Sequence, residues 1–237
     1  MKILALETSA KSVSAAVTED GAVLASAWQN TGLTHSRTLM PLVDAMLKNA
    51  GISLPELGLI AVAAGPGSFT GLRIGVSAAK GLAWTLDLPC CAVSTLEAMA
   101  RNVRHLDATV VCAMDARRNQ IYNALFAARG GVLERLTPDR AVGLPELADE
   151  LKNDEKAKIV VGDGAALCYT YLEGHGVPCS PAPAELVMQN AVGVALTAGE
   201  MAARGETVSA RDLRPNYLRL SQAERERLAK GLKITVD

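Results

Sequence analysis

The order of elements along this chain constrains its fold most, because the same order occurs twice. In the first half, residues 2–6, 12–18 and 22–28 are apolar runs of strand length. Asp20-Gly21 lies between the second and third, where a tight hairpin turn requires positive φ. Over 35–50, Leu39, Val43, Met46, Leu47 and Ala50 recur at spacings of three and four, which predicts a helix that Pro41 bends early and Gly51 ends. A buried strand at 58–64, a helix at 68–86, a strand at 89–93 and a helix at 95–104 follow. The second half starts again with strands at 108–114, 120–127 and 132–137, the last two turned by Gly130-Gly131. A helix near 144–152, a strand at 158–162 and helices near 164–174 and 189–203 complete it, and the polar stretch 222–232 reads as a further helix. Each half therefore begins strand, strand, strand, helix, strand, helix.

The two halves also open alike. The first strand of each ends at an acid, Glu7 or Asp115, and a polar loop with a basic residue follows: Thr8-Ser9-Ala10-Lys11 or Ala116-Arg117-Arg118-Asn119. Two α/β lobes, each a mixed sheet with flanking helices, satisfy the rule that every apolar face must be covered. The duplicated order is similar to the actin, Hsp70 and sugar-kinase (ASKHA) architecture, in which two acid-ended loops face each other across a cleft and hold ATP phosphates. The expected bounds are a first lobe over 1–105, a second over 106–220 and a polar tail over 221–237. Glu7 and Asp115 would hold Mg²⁺ through water in such a cleft. Ser9, Lys11, Gly162 and Gly164 are the other candidate nucleotide contacts. The alternative is two strand-end acids that cap their own loops.

Composition excludes several classes. With 237 residues, 49% apolar and 21% charged, the chain has the profile of an ordinary globular protein. Aromatics are only 3%, so the core is expected to consist of small aliphatic side chains in closely spaced elements. A formal net charge of −1 argues against a broad nucleic-acid surface, which needs clustered Lys and Arg. One local excess runs from Arg204 to Asp237, with eight basic and five acidic residues, and reads as a solvated terminal face. The cysteines, Cys90, Cys91, Cys112, Cys168 and Cys179, are odd in number, lack a C-x-x-C and read as reduced thiols used as small hydrophobes, which fits a cytoplasmic protein. No run reaches the ~18 apolar residues of a membrane span, and the N-terminal strand pattern stopped by Glu7 does not read as a signal peptide. His35, His105 and His175 are scattered without metal-ligand spacing, and no G-x-S-x-G elbow occurs.

The stretch AVAAGPGSFTGLRIGVSAAKGLA, residues 61–83, is the most distinctive. It matches neither a Walker A loop nor G-x-G-x-x-G. It can still form an anion nest at a helix N-terminus, or simply a tight strand-to-helix turn with Ser68 as N-cap. Beyond it, Gly71, Gly75, Ala79 and Ala83 fall at spacing four, a stripe of small residues on one helix face. Glycine inside a helix costs ~1 kcal/mol relative to alanine, so the stripe implies close approach by another element, in this chain or in a second subunit.

Taken together, ILALETSAKSVSAAV, GPGSFTGLRIG, AMDARRNQIYNALF and LRPNYLR closely resemble the TsaB (YeaZ) family, from residue 3 to about 220. The resemblance implies a relative of TsaD, the catalytic protein that transfers a threonylcarbamoyl group to N6 of an adenosine in tRNA. TsaD carries an H-x-x-x-H pair and a late aspartate as metal ligands. The matching positions here hold Thr95, Met99 and Gln189, which are poor ligands for a catalytic metal. The resemblance therefore implies a non-catalytic scaffold that activates TsaD alongside the ATPase TsaE. It would have no cofactor of its own, would see ATP or ADP and tRNA only in the complex, and would self-associate in isolation. The implied contact uses the 35–50 and 68–86 helices, and Leu39, Val43, Met46, Leu47, Gly71, Gly75 and Ala79 are the expected interface residues. On that reading, Gly75→Leu would block partner binding more than folding. The rival expectations are an autonomous ATP-dependent phosphotransferase, which Ala116-Arg117 disfavours because a side chain stands where glycine usually follows the aspartate, and a protease, for which no metal set or activated nucleophile is visible.

Overall fold

The computed structural model describes residues 1–117 and 119–219. The first sheet has the order β3-β2-β1-β4-β5, built from β1 (Lys2–Glu7), β2 (Val13–Glu19), β3 (Ala22–Gln29), β4 (Leu57–Gly65) and β5 (Cys90–Ser94). β1 pairs antiparallel with β2 and parallel with β4, so Leu4 lies opposite both Val17 and Ile60. Asp20 and Gly21 take φ of 50° and 85°, the mirror-image turn that the Asp-Gly pair predicts. The second sheet has the order β11-β10-β6-β7-β8, with β9 added on β7. Its strands are β6 (Ala108–Asp115), β7 (Gln120–Arg129), β8 (Val132–Arg135), β9 (Arg140–Gly143), β10 (Lys158–Val161) and β11 (Ser180–Pro181). Strand for strand, 8-7-6-10-11 repeats 3-2-1-4-5, and the two mixed sheets form the two ASKHA-like lobes.

Successive side chains point to opposite faces, so the continuously apolar central strands make each sheet apolar on both faces, and helices must cover both. Leu4 and Leu6 point to one side of β1, where α1 (His35–Ala50) and α2 (Phe69–Leu86) bury Leu39, Val43, Met46, Val76 and Ala79. Ile3 and Ala5 point to the other side and meet Ala191, Val194, Ala195 and Ala198 of α6 (Ala191–Ala203). On the second sheet, α3 (Thr95–Asn102) packs Leu96 and Met99 onto Val110, Cys112 and Phe126. The outer face is covered by α4 (Leu144–Leu151) and α5 (Ala165–Gly174). The chain is thus layered, α1 and α2 outside, then sheet, α6, α3, sheet, and α4 with α5 outside.

The lobes meet where α3 packs on α6. These are equivalent helices of the two halves, each following the last strand of its sheet. At their crossing, a Cβ built on Gly193 would run into the carbonyl oxygen of Ala98, so only glycine permits this approach. Arg101, 8% exposed, donates to Thr197 Oγ1 at 2.8 Å and grips both carboxylate oxygens of Glu200. This bidentate geometry is the strong form of an ion pair.

Three expectations are corrected here. First, α6 falls in the second half by chain order, yet it completes the first lobe. The chain then stays with that lobe: Val208 and Cys90 exchange backbone hydrogen bonds at 2.8 and 2.9 Å, and Ala210 and Leu213 join the core under α1 and α2. Second, β9 and β11 escape sequence reading: β9, Arg-Ala-Val-Gly, carries no apolar run, and the two residues of β11 are too few to show a pattern. Third, the small-residue stripe faces inward. A Cβ on Gly71 would strike the Thr8 carbonyl oxygen, and one on Gly75 would strike Thr8 Oγ1, which is itself fixed by donating to Gly71 O at 2.8 Å. Leu39, Val43, Met46, Leu47 and Ala79 are likewise core residues of the chain itself. None of the seven expected interface residues lies on the surface, because helical periodicity reports a buried face without saying what buries it. The expected helix at 222–232 and the tail at 221–237 lie outside the described residues.

Gly75→Leu is therefore expected to act on folding. Overpacking of a filled core costs about 1–3 kcal/mol and more where fixed atoms block relaxation. Urea denaturation should show a loss of about 3 kcal/mol or more relative to the parent chain.

Candidate interlobe cleft

Both lobes present loops to one cleft of about 560 Å³. The β1–β2 loop brings Ser9 and Lys11, the β6–β7 loop brings Asp115 and Arg117, and Asp163 follows β10. The start of α2 contributes Gly67 through Thr70, and the C-terminal segment Asn216 to Arg219 closes one side. The two acid-ended strands therefore converge as the repeat predicts, but they end differently. Asp115 is exposed, and its Oδ1 accepts from Arg117 N at 2.7 Å, capping its own loop. Glu7 is fully buried. Lys11 reaches solvent.

The glycine-rich turn serves the packing of these loops. Ser68 N donates to Ser9 O at 2.7 Å, and Ser68 Oγ accepts from Gly71 N at 3.3 Å as the N-cap of α2. A Cβ on Gly67 would stand 2.6 Å from Ser9 O. Gly162 and Gly164 do the same for the second lobe: side chains there would press on Ala113 O and, at 2.8 Å, on Asp115 N. These glycines clear space for neighbouring backbone at the cleft floor.

Glu7 is the most perturbed acid of the floor. Its Oε1 accepts from Ser9 N at 2.5 Å, and Oε2 has no hydrogen-bond partner among the described residues. Burial pushes its carboxyl up to about 7; the Ser9 hydroxyl and amide beside it pull back part of that rise, and the Asp163 carboxylate adds to it. Asp163 is also raised, first by burial, while Gln189 Nε2 donates to its Oδ1 at 2.9 Å. Thr95, Met99 and Gln189, the positions matched to TsaD ligands, are buried behind the cleft lining: Gln189 bonds Asp163, Met99 lies one turn after Thr95 on α3 with its sulfur at Gly162, and Thr95 Oγ1 and Gln189 Oε1 have no hydrogen-bond partner among the described residues. A hydroxyl, a thioether and a neutral amide do not make a site for a catalytic divalent metal. Among the described residues no cluster of three His, Cys, Asp or Glu side chains forms. The thiols are equally unsuited to attack: burial pushes Cys91 up to about 11 and Cys168 up to about 12.

Sequence reasoning missed Asn216 to Arg219 as cleft residues. Their signal, the LRPNYLR string, was visible, but nothing in it shows that the chain returns to the first lobe before reaching the cleft.

Comparison with known proteins fits this geometry. A Bacillus subtilis (strain 168) protein named tRNA threonylcarbamoyladenosine biosynthesis protein TsaB is 34% identical over 233 residues, 94% of this chain and 96% of its own length. The chain belongs to the TsaB/YeaZ family. A family model described as TsaD, tRNA N6-adenosine threonylcarbamoyltransferase, matches residues 29–171. A crystal structure from Pseudomonas aeruginosa, described as an uncharacterized protein with similarity to peptidase YEAZ, is 30% identical with a TM-score of 0.79, covering 92% of this chain and 99% of its own. Component A of (R)-2-hydroxyglutaryl-CoA dehydratase from Acidaminococcus fermentans, 13% identical with a TM-score of 0.50 over 86% of this chain and 99% of its own, shares the fold alone. Among the described residues of this TsaB/YeaZ family chain, no helix is long and apolar enough to cross a membrane.

Glu7 gives the fold a pH dependence of defined sign. Its carboxyl titrates higher in the folded chain than in the unfolded one, so the unfolded state loses its proton first as pH rises. Stability falls from the ordinary carboxylate range near 4.5 up to about 7, by at most about 3 kcal/mol. Glu7→Gln should be more stable than the parent at pH 8 and no more stable below pH ~4.5, as read by denaturation curves across that range.

Proposed function

We propose that this chain is a non-catalytic subunit in the transfer of a threonylcarbamoyl group to N6 of adenosine in tRNA, acting as scaffold and activator of TsaD together with TsaE. The observation that carries this reading is the residue set beneath the cleft: at the positions matched to the TsaD metal ligands stand Thr95, Met99 and Gln189, all buried, with Gln189 Nε2 bonded to Asp163 and the Met99 sulfur packed at Gly162. The chain brings no cofactor. ATP or ADP and tRNA are met only within the complex, in the cytoplasm.

The docking face we assign is the outward side of α1 and α2. Gly81 supports this assignment. Unlike Gly71 and Gly75, it has nothing within 4 Å of the position a side chain would take, so no packing inside the chain explains it. Beside it on α2, Trp84 is 73% exposed, and Met40 on α1 is 42% exposed. An exposed tryptophan one turn from an uncovered glycine offers a partner helix both apolar area and close approach. The same face, on two copies, would form the homodimer of the isolated chain.

The rival readings fare less well. A phosphotransferase needs the second-lobe loop to admit phosphate, but that loop is Ala116-Arg117, with Arg117 held at φ 63°. A protease needs an activated nucleophile, and burial raises the thiols instead. Calorimetry of the isolated chain with ATP and Mg²⁺ should show no tight binding; tight binding would favour the phosphotransferase.

The decisive experiment combines the chain with TsaD, TsaE and tRNA and measures both association and adenosine modification. We expect modification to require this chain; full activity without it refutes the proposal. Gly81→Leu should fold with undiminished thermal stability, since leucine is the better helix former, and yet bind TsaD at least about tenfold more weakly.

A further inference from the structure

The mouth of the cleft is crossed by the chain itself. Along α2, Lys80 Nζ donates to the carbonyls of Arg211 at 3.1 Å and Leu213 at 3.3 Å, which lays the returning chain against the first lobe. Asn216 N then donates to Ala64 O at 2.7 Å, at the end of β4. Tyr217 stacks on Phe69 with ring centroids 4.6 Å apart, and its hydroxyl accepts from Arg73 Nε at 3.2 Å. Two residues later the chain has reached the other lobe: Arg219 Nη1 donates to Ala116 O at 2.6 Å, directly after Asp115. The attachments are unequal. Among the described residues, the near side has a backbone hydrogen bond, an aromatic stack and a side-chain bond, whereas the far side has one guanidinium–carbonyl bond. The seam of α3 and α6 joins the lobes at the back of the cleft, so separation of the lips must break the bond at Arg219.

We propose that residues 214–219 are a latch across this cleft, anchored on α2 and caught on the second lobe by Arg219, and that the catch sets how often the lips part. A hydrogen bond from a charged donor to a carbonyl is strong enough to change an open-to-closed ratio about tenfold. The latch governs access to the cleft for solvent and for any ligand, and it does so whether or not TsaD is the partner.

Hydrogen–deuterium exchange of the full chain tests this. In Arg219→Ala, amides of the two lips, residues 8–11 and 115–117, should exchange about tenfold faster, while α4 on the far side of the second sheet keeps its parent rate. Arg219→Lys, which can still donate to Ala116 O, should restore most of the protection. Tyr217→Ala, which frees the near anchor, should also speed the lips. Faster exchange confined to 216–219, or lips that respond to Tyr217→Ala but not to Arg219→Ala, overturns the proposal. A general rise in exchange that includes α4 would show loss of folding instead of release of a latch, and would overturn it as well.

Discussion

The crossing of α3 and α6 is the contact on which the rest of the molecule depends. Each helix covers the inner face of one sheet, so neither lobe can bury that face without presenting a helix to the other. Gly193 lets the two backbones touch at Ala98, and Arg101 spans the joint to Thr197 and Glu200. A guanidinium this deeply covered is expensive to bury, and its stabilising value rests on the fork of hydrogen bonds that satisfies it. The alanines of the inner faces follow from the same requirement. Ala5, Ala61 and Ala63 on the first sheet meet Ala191, Ala195 and Ala198, because two helices fit between two sheets only if the side chains between them are short.

The cleft inherits its character from that joint. It lies between the strand ends that the joint holds together, and burial raises the carboxyls at its floor. Among the described residues Glu7 Oε2 has no hydrogen-bond partner, its carboxyl titrates late, and Met99 and Gln189 are turned to the neighbouring 162–164 loop. The glycines of the cleft loops, Gly67, Gly162 and Gly164, make room for neighbouring backbone. Carboxylates at strand ends, as a residue pattern, do not distinguish an exposed acid such as Asp115 from a fully buried one such as Glu7.

Much of the fold was legible in the sequence because it rests on periodicity. Apolar runs of strand length marked the strands, spacing of three and four marked the helices, and Asp20-Gly21 and Gly51 marked their punctuation as found. What stayed hidden was set by tertiary contact. The spacing of Gly71 and Gly75 showed that something approaches α2 closely, but the object is Thr8, sixty-odd positions earlier. Of the three α2 glycines, only Gly81 has nothing within 4 Å of the position a Cβ would take, a difference the spacing does not reveal. The tiny β11 shows the same limit: two residues carry no pattern, yet they restore the equivalence of α3 and α6 that the element order alone left incomplete.

The late position of α6 bears on how the chain is made. The first sheet is complete once β5 has formed, but its inner face of Ile3, Ala5, Leu59 and Ala61 stays bare until residues 191–203 arrive. Synthesis of the intervening hundred residues takes about 5–20 s at cellular rates. For that interval a nascent chain on the ribosome carries a finished sheet with one apolar side uncovered, which is the kind of surface that chaperones hold.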